Sequence, residues 1–225
     1  MPSYQQVAGM GPADKGACLV LRTTLLGTAL TLGLSWSAGS ALADETKSII
    51  LAGGCFWCVE SDFDQVPGVL ETISGYTGGT LENPTYKDVT TGGTGHYEAV
   101  EIIYDPSQVS FEQLLTAFWS SVDPTDDGGQ FCDRGQSYQT AVFVGDEEER
   151  ALAEASKMTA EEALGQEIVT PIHDVATFYP AEGYHQNYYL NNPIRYKFYR
   201  LSCGRNHRVE EVWGDRAYEG IPKHG

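Results

Sequence analysis

The chain has 225 residues, and its 31 Asp and Glu outnumber 14 Lys and Arg to give a net charge of −17. Such a surface repels nucleic-acid phosphates and anionic lipid headgroups, so neither is an expected partner. Hydrophobic residues at 41% supply a globular core, and the acidic residues are interspersed, which describes a solvated surface.

Residues 1–43 read as a secretory signal peptide. Lys15 and Arg22 precede an apolar run from Leu25 to about Trp36, and Ala41-Leu42-Ala43 offers small residues for cleavage before Asp44. The run is short and glycine-rich for a membrane span. Met10 is an alternative start. Cleavage removes Asp14, Lys15 and Arg22 and leaves 12 basic and 30 acidic residues, a net charge of −18. The remaining residues, 44–225, fit one domain. The expected location is periplasmic or otherwise exported, with no membrane attachment of the mature form.

Along that domain, 48–52 predicts a strand, and Gly53-Gly54 then turns the chain into a helix beginning near Cys55. Strands are predicted at 70–75, 97–104, 138–144 and 167–174, each short and rich in β-branched or aromatic residues. Asn83-Pro84-Thr85-Tyr86 is a turn opening a short helix. Ser110-Phe111-Glu112-Gln113 is a capping box for a core-facing helix over 110–120, with Phe111, Leu114, Leu115 and Phe118 on one face. A helix over 146–164 ends at Gly165 as a C-cap, and another is expected over 183–191. After Cys203 the tail is charged, with no regular element predicted. There is no internal repeat. The order of elements predicts an α/β (α+β) two-layer sandwich, ferredoxin-like, with flanking helices on a mixed or mostly antiparallel sheet.

Four cysteines follow the leader: Cys55, Cys58, Cys132 and Cys203. Cys55 at a helix start faces unpaired N–H groups and the positive end of the dipole, which favour the nucleophilic thiolate. Cys58, one turn on, is close enough for a disulfide. Glu98 shares a strand face with Val100, Ile102 and Tyr104. Desolvation there raises its pKa and suits it to donate a proton near neutral pH. Tyr86 is either a half-buried phenol or a hydrogen-bond donor into a site. Asp133 and Arg134 lie in a polar loop, where they either serve a site or pair at the surface. His96, Cys55, Cys58 and Cys132 also form a conceivable zinc set, without the second Cys-x-x-Cys that would make the signal strong. A thiol–disulfide oxidoreductase using Cys55-x-x-Cys58 and a zinc-stabilised binding module are the competing functions.

The motifs resemble the A-type peptide methionine sulfoxide reductases over about 49–203. Gly-Cys-Phe-Trp-x-Val-Glu stands at Gly54 to Glu60, Gly-Tyr-x-Gly-Gly at Gly75 to Gly79, Asn-Pro-x-Tyr at Asn83 to Tyr86, Gly-His-x-Glu at Gly95 to Glu98, and Tyr-Asp-Pro at Tyr104 to Pro106. Phe178-Tyr179-x-Ala181-Glu182 with His185-Gln186 is similar to the family's late motif. The resemblance implies that Cys55 attacks the sulfoxide sulfur while Glu98, helped by Tyr86 and Tyr138, protonates the oxygen. Phe56 and Trp57 would hold the substrate methyl group, and Asp133 would contact substrate or water. It also implies the S epimer of oxidised proteins or free methionine sulfoxide as substrate, a thioredoxin-like reductant, and no metal or organic cofactor. Cys203 aligns best with a resolving position, and Cys58 and Cys132 are the alternatives. Cys58 and Cys132 stand where many members have glycine and asparagine.

Overall fold

A computed structural model describes residues 46–222, and the expected signal peptide lies outside them. The strands are β1 (Lys47–Gly53), β2 (Val69–Thr77), β3 (Tyr97–Tyr104), β4 (Gly129–Gln130), β5 (Asp133–Arg134), β6 (Thr140–Val144), β7 (Ile172–Asp174) and β8 (Tyr179–Pro180). The helices are α1 (Phe56–Phe63), α2 (Tyr86–Thr91), α3 (Phe111–Trp119), α4 (Glu147–Leu164), α5 (Tyr188–Asn191), α6 (Pro193–Ser202) and α7 (Arg205–Trp213).

The main sheet runs β7-β6-β1-β3-β2-β8, and β4 and β5 form a separate hairpin. All its pairings are antiparallel except β6 with β7. Its inner part follows β1-α1-β2-β3-α3-β6 in chain order and β6-β1-β3-β2 in space, the split βαβ arrangement of a ferredoxin-like sandwich. Register follows from the pleat. Ile49 and Leu51 of β1 point into the main core with Val100, Ile102, Phe63, Leu114 and Phe118, while Ile50 and Ala52 point to a smaller cluster with Ala99, Ala141 and Phe143. A one-residue slip would exchange these faces, so the buried pattern fixes the pairing of Leu51 with Val100 and Val142.

The helix signals hold at their ends. Ser110 and Gln113 form the reciprocal capping box of α3, and Gly165 closes α4 in the left-handed region at φ 64°. Three expectations fail. The strand expected over 167–174 is only β7, because the chain before it turns away to bond Val169 N–H to the Pro124 carbonyl. The helix expected over 183–191 shrinks to α5, the residues after it form α6, for which no element was expected, and the supposedly irregular tail after Cys203 is helical as α7. The amphipathic signal of α6 is inverted, since it leaves Ile194, Phe198 and Leu201 exposed and buries Arg200, while α7 buries Arg205 together with Val209 and Trp213. Apolar periodicity in α6 points away from the core, so it conceals how that helix docks. Among the described residues, no helix is long and apolar enough to cross a membrane.

Candidate active site

β1 delivers the chain to the site, and Gly54 makes the turn. Its φ is +82°, and a Cβ there would stand 2.5 Å from Gln130 Cβ, so any other residue would be both strained and clashing. Cys55 is the N-cap residue of α1, as the sequence predicts. The free N–H beside it is already taken, because Phe56 N–H donates to Glu98 Oε2 at 3.1 Å. Cys55 is 7% exposed and Cys58 2%. Burial, then the hydrogen bond it gives to Cys58, push the Cys55 thiol well up, against the expected helix-start thiolate. Cys58 moves the other way, to about 7, through that same hydrogen bond and the charges of Arg205 and Arg200. The pair therefore shares its proton, with negative charge favoured on Cys58.

The arginines come from α6 and α7. Arg200 Nη1 lies 2.7 Å from Asp62 Oδ1, and buried Arg205 donates to the carbonyls of Gly53 and Ser121 at 2.9 and 3.0 Å. Asp62, Arg200 and Arg205 thus form a buried charged network beneath Cys58, tying α1 to the C-terminal helices. No motif announces it. The sole hint is charge placed in helices too short to hide it from the core.

Glu98 sits where the sequence places it, on the β3 face shared with Val100, Ile102 and Tyr104, and is 1% exposed. Burial raises its pKa to about 8, with the charge of Asp133 adding to it and the Phe56 N–H and Tyr138 hydroxyl opposing it. At neutral pH the carboxyl therefore carries a proton. The Tyr138 hydroxyl favours the charged forms of both Glu98 and Tyr86, partly opposing their burial. Burial pushes Tyr86 up to about 12 and raises Tyr138 as well, so both hydroxyls stay protonated as donors.

Tyr86 is positioned by residues outside the predicted set. Glu182 accepts from Tyr86 N–H and Tyr76 OH, each at 2.9 Å, and the buried His185 ring packs 4.4 Å from Tyr86. Trp57 Nε1–H donates to His185 Nδ1 at 3.1 Å, and its indole stacks on Tyr188 at 3.8 Å. Phe56, 1% exposed, lies among Tyr76, Tyr86 and His185. Glu182 and His185 belonged to the late motif, and sequence alone gave them no role.

Asp133 faces inward. Tyr199 OH donates to its Oδ2, and its charge bears on Cys55, Glu98 and Tyr138. The alternative pairing with Arg134 is not found, since Arg134 bonds Asp126 instead. The cysteine expected to join Cys55 does not: Cys203, at the C-cap of α6, is bonded to Cys132 with S–S 2.10 Å and Cα–Cα 4.9 Å. Cys55 and Cys58 are free thiols. Nor does the zinc set assemble, because His96 accepts from Gly79 N–H, faces the Leu81 carbonyl through Nε2, and Cys132 is in the disulfide.

A buried thiol, a protonated carboxyl of β3 bonded to the helix turn beside it and two protonated phenols near that carboxyl define a thiol-dependent reductase that removes an oxygen and protonates it. A simple thiol–disulfide oxidoreductase leaves Glu98, Tyr86 and Tyr138 without work and is not favoured. The family model described as peptide methionine sulfoxide reductase matches residues 47–217. Peptide methionine sulfoxide reductase MsrA 2 of Rhizobium meliloti is 55% identical over 181 residues, 80% of this chain and 90% of that protein. Peptide methionine sulfoxide reductase MsrA of Bacillus pumilus is 48% identical over 178 residues, 78% of this chain and 100% of that protein. The solved methionine sulfoxide reductase A of Corynebacterium diphtheriae is similar with TM-score 0.60 at 34% identity, covering 66% of this chain and 76% of that one. Mxr1 from Saccharomyces cerevisiae in reduced form is similar with TM-score 0.63 at 28% identity, covering 67% and 87%. The chain belongs to the peptide methionine sulfoxide reductase family, A type. It is an enzyme that reduces methionine sulfoxide to methionine.

Proposed function

We propose that Cys55 attacks the sulfoxide sulfur while Glu98 gives its proton to the oxygen, with Tyr86 and Tyr138 donating hydrogen bonds to the developing charge. The S=O bond breaks, the oxygen and its proton pass to the Cys55 sulfur, and methionine leaves, so Cys55 becomes a sulfenic acid. Phe56 and Trp57 hold the methyl group, and Asp133 orients substrate or water. Cys58 then attacks the Cys55 sulfur and expels water, forming a Cys55–Cys58 disulfide; this replaces Cys203 as the resolving thiol. The substrate is the S epimer, in oxidised proteins or as the free amino acid. The reductant is a thioredoxin-like dithiol, and the protein works outside the cytoplasm after cleavage near Ala43.

The observation that carries this reading is the hydrogen bond from Phe56 N–H to a Glu98 carboxyl that burial keeps protonated, which sets a proton donor beside Cys55. The test is reduction of a methionine-sulfoxide peptide, separated by epimer, with wild type and Cys55→Ser. The S epimer should be consumed only when Cys55 is present. Consumption by the variant, or of the R epimer alone, contradicts it. Mass spectrometry of the protein from its own cells should find an N-terminus near Asp44, and an intact Met1 or Met10 contradicts export.

A further inference from the structure

Glu60 closes the motif that begins at Gly54, and the chemistry above gives it no work, yet it is a fully buried carboxyl, 0% exposed. Residues four apart share a helix face, so Glu60 of α1 and Asp64 at its C-cap stand side by side, and both reach α5. Glu60 Oε1 accepts from Asn187 N–H at 2.9 Å, and Asp64 Oδ2 accepts from Tyr189 OH at 2.8 Å. Asn187 is the N-cap of α5. It sits at φ +52°, a left-handed conformation uncommon for a residue with a side chain, and that side chain makes no cap hydrogen bond. Glu60 supplies the acceptor this helix start lacks. Directly after the anchored residue comes Tyr188, whose ring stacks on the Trp57 indole at 3.8 Å and 7°. Trp57 lies three residues before Glu60 on the same helix, so α1 bears both one face of the stack and the anchor that sets the other.

We propose that Glu60 is a positioning residue for the substrate pocket: its carboxylate holds the Asn187–Tyr188 turn, so that the Tyr188 ring lies flat on Trp57 and fixes the indole against the substrate methyl group. This rests on the reading above that Phe56 and Trp57 hold that group. Glu60 acts through Tyr188 and takes no part in the transfer of oxygen. Its charge matters, because an ionised carboxyl offers only acceptors, whereas a neutral carboxyl or an amide turns a donor toward the same N–H groups. Burial raises its pKa to about 7, with the charge of Asp64 adding to the rise, while the Asn187 N–H, the Tyr188 N–H and the Ser74 hydroxyl of β2 favour the charged form. From α5, the Tyr189 hydroxyl stays protonated through burial and its bond to Asp64. From α6, Arg200 lies on Asp62, which the helix turns to another side. The clamp is therefore set above about pH 7 and released below it.

Calorimetric titration of an S-epimer methionine-sulfoxide peptide into the Cys55→Ser/Cys58→Ser chain tests this, since it separates binding from reaction and leaves no inner thiol to titrate. Adding Glu60→Gln should weaken binding above about pH 7 by about tenfold, near the upper end of what a stacked aromatic pair contributes. With Tyr188→Leu already present the same change should cost less than about twofold, because the clamp then has no ring to place. With Glu60 and Tyr188 intact, binding should weaken as pH falls through about 7, and Tyr188→Leu should flatten that dependence, a result that requires no Glu60 variant to fold. Unchanged binding in Glu60→Gln, equal losses with and without the Tyr188 ring, or pH-independent binding by the chain with both residues intact would each overturn the positioning role. Peptide that fails to bind even then would overturn the reading of Phe56 and Trp57 as the methyl pocket, and this inference with it.

Discussion

Cys55 and Cys58 lie under aromatic rings and above two buried arginines, whereas Cys132 and Cys203 close a disulfide at the open edge of the β4–β5 hairpin. The comparison shows how burial sets identical side chains apart. Burial strips water from the inner pair, which protonates Glu98 and makes its hydrogen bonds costly to lose. Exposure gives the outer pair the access that exchange with another protein demands.

The sharpest way to break this contrast is Cys55→Ser, which should abolish methionine release in a single turnover. A hydroxyl is a far weaker nucleophile than a thiol in the same pocket. Glu98→Gln should follow, with a loss of about two to four orders of magnitude in the single-turnover rate, the range general acid catalysis supplies. The wild-type rate should fall as pH rises through about 8, where Glu98 loses its proton, and that limb should vanish in the glutamine variant. The same shift makes a linkage claim. Because the folded pKa lies above the unfolded value, the stability Glu98 contributes is full below about 4.5 and is lost as pH rises through about 8. Urea titrations of wild type and Glu98→Gln should diverge in that direction.

A smaller effect is expected beneath Cys58. Arg200→Met removes a buried partner of Asp62 and should cost about 3–5 kcal/mol in unfolding free energy, as broken buried ion pairs do. Thiolate absorbance should also show Cys58 titrating above about 7, because one of the charges that lowers it is gone. At the outer edge, Arg134→Ala breaks a half-exposed pair with Asp126 and should cost less than about 1 kcal/mol.

Where the sequence states its physics locally, it was legible. Alternation placed Glu98 on the buried face of β3, two glycines before Cys55 located the strand-to-helix turn, and Ser110 with Gln113 gave the α3 start. What stayed hidden depends on residues far apart in the chain. Arg200 and Arg205 meet Asp62 across more than a hundred positions, so neither the docking of α6 and α7 nor the charge on Cys58 shows in any window of sequence. The joining of Cys132 to Cys203, 71 residues apart, is equally non-local, and spacing left three candidates for the resolving thiol. Glu182 and His185 were visible as a motif but acquire meaning through the Tyr86 and Trp57 they hold.

The proposed resolving role of Cys58 is tested most directly in Cys58→Ser, prepared with Cys132–Cys203 closed and given one equivalent of methionine-sulfoxide peptide without reductant. Mass spectrometry of the peptide containing Cys55 should show one added oxygen, a sulfenic acid stranded for want of its partner, with one methionine released per enzyme. An unmodified Cys55 after methionine release, or Cys55 bonded to Cys203, would contradict the account.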